Sequence, residues 1–239
     1  MERTYKVAGI LMNMDTWGLL KTRARPYEVE YTDKPELVVS SAKAWADGYV
    51  SHHPAAAFRE YTAAGVCFYN ALLDFDALLI HSSAVIMDGK AYLFSADAGT
   101  GKSTHTALYR RVFGDDRARI LNDDKPVLRL EDGEFWAYGT PWSGKSDMNL
   151  NLRVPIGGIC LLKRGEKNTI RKMEPSKVLF ALLGQTVRPK DPAKMSKLLE
   201  LMDELLKKVN IWEMYCNMDP EAAIVSYETM SGIRKEETR

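Results

Sequence analysis

"LFSADAGTGKSTHTALYRRVF", residues 93–113, decides how this chain is read. A strand-like apolar stretch runs into small residues and two glycines, then into a helix-forming segment. Gly99 and Gly101 let the backbone bend until successive N–H groups face inward, where they can hold phosphate oxygens. A helix that begins near Lys102 adds its positive end to the same place. In a loop of this kind Lys102 reaches the β- and γ-phosphates of a nucleotide and Ser103 ligates Mg²⁺. Ala98, Gly99, Thr100, Gly101, Lys102, Ser103 and Thr104 are therefore the candidate cofactor-binding residues. The strict pattern asks for glycine at position 96, where Ala96 stands; the mouth of the loop accepts it if φ is negative. The competing reading is a glycine-containing strand–helix turn with a lone lysine.

A phosphate-transfer site also needs acidic groups at a neighbouring strand end. "ILNDDKP" supplies Asp123 and Asp124 after a short strand. Adjacent residues there point in different directions, so one carboxylate can hold the metal side while the other faces an acceptor. Two carboxylates this close are expected to raise one pKa, which suits proton acceptance. Standing alone, the pair reads as a turn before "KP".

Outward from this centre, Asp88-Gly89 and Asp132-Gly133 each mark a two-residue hairpin. They predict strands over "ALLIHSSAVIM" and "KAYLFSA", and a second pair within "PVLRLEDGEFWAY". "ARILNDD" and "VPIGGICLLKR" read as further strands, and so do "YKVAGILMNM" and "YEVEYT" near the N-terminus. Helical spacing of Phe58, Tyr61, Val66, Tyr69, Leu72 and Leu73 predicts a helix from near Pro54. The C-terminal third reads as mostly helical: "PSKVLFALLGQTV", then 191–209 with Met195, Leu198, Leu199, Met202, Leu205, Leu206 and Val209 on one face, then 219–230 capped by Asp219 with Pro220 at its first position. Hairpins around the loop argue for a mixed sheet and against a regular doubly wound one. The fold class is α/β with α+β character. One domain is expected: 1–75 integral to the core, 76–165 the phosphate-loop core, and 166–239 a helical segment with a disordered tail.

The 239 residues carry a net charge of +1, with 46% hydrophobic and 27% charged side chains. That balance points away from a nucleic-acid or membrane-surface partner. Apolar runs are too short to cross a bilayer, and "MERTYKVAG" lacks a secretory core. Cys67, Cys160 and Cys216 lie far apart without CxxC spacing, which suits small apolar core residues in a cytoplasmic protein. His52-His53 reads as a loop and His105 as solvent-facing; Trp142 is weighed as a packing residue or an adenine-stacking one.

"LLIHSSAV", "AYLFSADAGTGKST", "NDD" and "GTPWSGK" occur in the order found in HPr serine kinase/phosphorylase and its smaller relatives, and residues 77–165 resemble that catalytic core. The resemblance implies a mixed-sheet core shared with phosphoenolpyruvate carboxykinase, ATP and Mg²⁺ as cofactors, and phosphoryl transfer to a hydroxyl, usually a serine. It implies Asp123 as general base, Asp124 with Ser103 on the metal side, and His81 near the phosphate or acceptor; His81 also reads as a hydrogen-bonded core histidine. The family's glycine-rich signature with an acidic residue and arginine is absent, and "GTPWSGKSDMNLNLRVPIGG" stands in its place. Phosphorylase activity is therefore not carried over. Within that stretch Lys145 and Arg153 are the candidates for stabilising the transferring phosphoryl group, with solvated cations as the alternative. The smaller relatives include stand-alone kinases that modify precursor peptides, so the expected acceptor is a hydroxyl of a peptide, a small protein or a small molecule. The family often assembles, which leaves a homo-oligomer open. Two rival readings remain: a carboxykinase-like enzyme acting on a small carboxylate, and a nucleotide-binding module without chemistry.

Overall fold

The computed structural model describes residues 3–46, 48, 52 and 55–233. Its architecture is mixed α/β. A small sheet is formed by β1 (Arg3–Val7), β2 (Ile10–Met14) and β3 (Leu37–Val39), with α1 (Gly18–Arg23), α2 (Ser41–Ala46) and α3 (Ala56–Ala71) packed beside it. The main sheet contains β4 (Ala77–Leu79), β5 (Ser82–Met87), β6 (Lys90–Ser95), β7 (Ala118–Asn122), β8 (Val127–Glu131), β9 (Glu134–Tyr138), β10 (Arg153–Arg164), β11 (Thr169–Lys172) and β12 (Ile211–Cys216). The remaining helices are α4 (Lys102–Phe113), α5 (Pro175–Leu183), α6 (Pro192–Lys208) and α7 (Glu221–Ser231).

β10 joins the parts of the main sheet. Its first residues pair antiparallel with β9, while further along it runs parallel to both β6 and β12. β5 lies antiparallel between β6 and β7. One face buries Phe94, Tyr109, Met214 and Tyr227 beneath α4 and α7; a separate cluster buries Leu93, Ile159, Leu182, Leu198 and Met202 beneath α5 and α6. A third cluster runs from Tyr5, Met12 and Leu20 through Phe68 to Val127, Tyr138 and Trp142, so the small sheet and α3 share a core with the main sheet's edge. Among the described residues no helix is long and apolar enough to cross a membrane.

Several sequence expectations need correction. "YKVAGILMNM" is a hairpin, turning at Ala8 (φ 52°) and Gly9 (φ 78°). "ALLIHSSAVIM" splits before Ser82: β4 pairs with β8, whereas β5 pairs with β6 and β7. "YEVEYT" alternates but makes only an isolated bridge from Glu28 to Tyr5. The C-terminal third holds two strands, β11 and β12, besides its helices. Leu199 is 40% exposed, while Leu201 is buried. Asp219 does not cap α7 with its side chain, which accepts from Asn217 instead. Cys67 and Cys160 are buried as expected, and Cys216 is half-buried. Pro54, His53 and the tail 234–239 lie outside the described residues.

Glu60 ties α3 to the start of α1. It is 1% exposed and accepts from the Trp17 backbone N–H at 3.4 Å. Burial pushes its carboxyl up from 4.5 to about 7, against the lowering effect of the Trp17 and Leu20 amides. Folding thus favours the protonated acid. Its stabilisation is full below pH 4.5 and is lost as pH rises through about 7. In Glu60→Gln that titration is gone. Thermal unfolding should show the variant gaining on the wild type between about pH 5 and about pH 8; a difference that stays constant with pH would contradict this.

Candidate functional site

β6 ends at Ser95 and α4 begins at Lys102, so the quoted stretch forms a strand, a loop and a helix. Gly99 (φ 77°) and Gly101 (φ 123°) hold backbone conformations that other residues rarely adopt, and a Cβ on either would meet no neighbour. Conformation, not crowding, requires glycine there. Ala96 is buried without a positive φ, which is why it is tolerated. No side chain caps the start of α4, so its first N–H groups and the helix dipole remain available to an anion.

Lys102 lies back across the loop. Its Nζ donates to the Ala96 carbonyl at 2.8 Å and reaches the Asp97 carbonyl at 3.5 Å. Burial lowers the amine's pKa, partly offset by the charge of Asp124. Gln185 donates to Asp97 and Arg164 donates to the Gly99 carbonyl at 2.7 Å, fixing the loop's outer edge.

The two carboxylates sit opposite in different environments. Asn122 is fully buried; its Oδ1 accepts from the backbone N–H of Asp124 (2.9 Å) and of Lys125 (2.7 Å), and its amide donates to the Thr140 carbonyl (2.9 Å). This side chain builds the turn from which both aspartates extend. Asp123 is 7% exposed and accepts from Ser83 Oγ at 2.6 Å. Asp124 is more open and lies 3.1 Å from both His81 Nε2 and Lys125 Nζ. Burial alone would raise the Asp124 pKa, but the His81 hydrogen bond and the Lys125 charge together bring it below the usual carboxylate value. The rise expected of a close acidic pair is thus not what Asp124 shows.

A cavity of about 720 Å³ brings these groups together: Ala98, Gly99, Lys102 and Ser103 from the loop, His81, Asp123 and Asp124 from the sheet, and Lys145 at an exposed position. Its far wall comes from α3, through Phe58, Tyr61, Thr62 and Tyr69. Thr100, Gly101 and Thr104 face a second cavity of about 520 Å³ on the other side of the loop, with Leu108, Arg164 and Met218; Gly99 borders both. Arg153 is not brought to the loop: it pairs with Glu131 at 2.5 Å, stacks over Trp136 and lines a different cavity. Among the described residues no three His, Cys, Asp or Glu side chains form a ready metal cluster. Ser103 and Asp124 nevertheless border one space, and Mg²⁺ at phosphate sites takes only one or two carboxylates with phosphate and water oxygens.

Two aromatic expectations are settled by packing. His105 does not face solvent: it is 2% exposed, packs on Phe94 and contacts Ser226 at 3.1 Å, and burial pushes its pKa down to about 4. Trp142 is a core residue, stacked on Phe68 with its Nε1 donating to the Tyr61 carbonyl.

Sequence reasoning missed Asn122, Lys125 and Arg23. Arg23 is buried, donates to the Gly144 carbonyl at 2.6 Å, lies 2.9 Å from Asp147 and covers the Tyr61 ring. Tyr61 Oη in turn accepts from the Gly144 N–H, and burial holds its phenol at about 12. The stretch carrying Lys145 is thereby anchored to the N-terminal unit. An "ND" pair carries an Asx-turn signal; Arg23 has no local signal, since its partners lie far along the chain.

No family model matches the chain, and no curated protein matches it. Among solved structures the chain is similar to the Hpr(Ser) kinase/phosphatase from Coxiella burnetii, at 13% identity and a TM-score of 0.35, over 64% of this chain and 92% of that one. A likeness of that size carries no argument about function, which is read from this chain's own residues.

Gly139 holds the far end of the 139–152 stretch in place. A Cβ there would lie 1.9 Å from the Leu150 carbonyl oxygen and 2.7 Å from that of Leu121, both backbone atoms. Gly139→Ala should cost about 3 kcal/mol or more of unfolding free energy in urea titration; a loss within about 0.5 kcal/mol would show that the backbone there is not tightly packed.

Proposed function

We propose that the protein is an ATP- and Mg²⁺-dependent kinase that transfers the γ-phosphoryl group to a hydroxyl, with a serine of a peptide or small protein as the leading acceptor. One observation carries the reading: an uncapped helix start behind a glycine loop shares a cavity with two carboxylates of unlike environment. The loop amides and Lys102 would hold the phosphates. Thr104, Leu108 and Met218 border the second cavity, which suits the nucleoside end of the same ligand. Ser103 and Asp124 would hold Mg²⁺, which when bound neutralises phosphate charge.

The acceptor oxygen bonds to the γ-phosphorus, its proton passes to the Asp123 carboxylate, and the bond to the β,γ-bridging oxygen breaks with its electron pair leaving on ADP. Ser83 donates to one oxygen of Asp123 and so orients the carboxylate as a base. His81 contacts Asp124 and would orient it, and Lys145, which borders the same cavity, would offset charge on the transferring group. A carboxykinase-type reading needs arginines around a small carboxylate, and among the described residues none lining this cavity is an arginine.

Asp123→Asn should lower transfer from γ-labelled ATP by about 100-fold or more while leaving nucleotide affinity within about threefold. Labelled species from a cell extract, seen with wild type alone, would supply the acceptor. Unchanged turnover in the variant would remove Asp123 from the role of base. Nucleotide binding without transfer to any acceptor would favour the module without chemistry.

A further inference from the structure

A separate cavity of about 490 Å³ lies between the first hairpin and the β8–β10 part of the main sheet, and it shares no lining residue with the cleft at the glycine loop. Strand register explains its charge. Arg129 on β8 stands opposite Trp136 on β9, and Tyr138 on β9 stands opposite Arg153 on β10. Side chains two apart on a strand share a face, so Arg129, Glu131, Trp136, Tyr138 and Arg153 all lie on one. On β1, Tyr5 and Val7 are buried and Lys6 between them is exposed at the cavity's rim. Gly9 completes the wall: a Cβ there would stand 2.7 Å from Arg129 Nη1 and 3.6 Å from Tyr138 Oη, so glycine makes room for the guanidinium.

Three cations, Lys6, Arg129 and Arg153, thus share the cavity with one carboxylate, Glu131. Asp132 and Glu134 belong to the same hairpin but do not line it. Glu131 is already engaged, accepting from Arg153 at 2.5 Å and from Tyr138 at 2.7 Å. Arg129 Nε lies 3.4 Å from that carboxylate without a hydrogen bond, and its Nη1 donates to the Ala8 carbonyl at 2.9 Å. Arg153 is held over the Trp136 ring. Lys6 makes no ion pair with a described residue. Positive charge therefore outweighs negative in a concave space, and an anion that enters relieves the repulsion among the cations.

We propose that this cavity is an oxyanion-binding site, separate from the nucleotide cleft, which takes a small molecule bearing a carboxylate or phosphate group. The guanidinium forks of Arg129 and Arg153 match the paired oxygens of either group, and Lys6 adds a mobile point charge from the hairpin. A cavity of this volume suits a small molecule. The site stands whether or not the glycine loop serves a kinase.

The test titrates the full chain with phosphate and with succinate by calorimetry at fixed ionic strength. Phosphate can also enter the glycine loop, so each titration is repeated on Lys102→Ala. At least one of the two anions should bind the wild type and still bind Lys102→Ala. That binding should weaken about tenfold in Lys6→Gln and in Arg153→Gln, and by less than about twofold in Lys208→Gln, which removes the same charge from the far end of α6. Which anion binds tells a phosphate ligand from a carboxylate one. Failure of both anions to bind the wild type, binding that vanishes in Lys102→Ala, or binding that Lys6→Gln leaves unchanged or weakens no more than Lys208→Gln does would overturn the proposal. Should Arg153→Gln fail to fold for want of its pair with Glu131, Lys6→Gln decides the matter, since it removes an exposed amine without an ion-pair partner.

Discussion

The buried amide of Asn122 holds the carboxylate side of the cleft together. It fixes the turn through Asp124 and Lys125 and reaches across to Thr140, whose hydroxyl donates to the Lys125 carbonyl. Asp123 and Asp124 consequently leave the end of β7 in directions set by one side chain. The 139–152 stretch is bound to the same point, since the Asp123 N–H donates to Met148 and the Leu150 N–H to Leu121. A buried amide left unsatisfied would cost about 1–3 kcal/mol, so the aspartates, the loop behind them and the sheet edge are placed as one unit.

Around that unit the site is assembled from distant parts of the chain. β5 and β6 bring His81 and the glycine loop to one end of the sheet, and the break before Ser82 sets His81 between two strand systems. α5 contributes through Gln185, two residues past its end, whose carbonyl accepts from the His81 N–H at 2.7 Å. The N-terminal unit contributes Arg23 and Tyr61, which grip Gly144 from both its carbonyl and its N–H. The two faces of the cleft are therefore held by contacts that span more than a hundred positions of sequence in the case of Arg23 and Gly144.

This division explains what the sequence made legible. Asp88-Gly89 and Asp132-Gly133 turned where expected, because both residues of such a turn take positive φ and Asp-Gly tolerates it. Ala8-Gly9 makes the same turn with alanine in a conformation it disfavours, so it left no signal. The loop and its helix were readable because glycines and strand–helix periodicity are local. β12 went unseen: "IWEMYC" begins shortly after α6 ends, and its strand character comes from pairing with β10 and β11. His105 looked solvent-facing because its partners, Phe94 and Ser226, lie on β6 and α7. Arg153 looked like a site residue because it lies in the same stretch as Lys145, within "GTPWSGKSDMNLNLRVPIGG", yet Glu131 and Trp136 hold it at a different cavity.

The central claim is that the loop at the start of α4 is a nucleotide phosphate site. Lys102 tests it most directly, since its amine is held at the loop by the Ala96 carbonyl and is reached from the cavity. Calorimetric titration of Mg²⁺-ATP into the wild type and into Lys102→Ala should show binding that weakens at least about tenfold in the variant, with the unfolding temperature little changed. Absence of binding by the wild type, or equal binding by both proteins, would contradict the account.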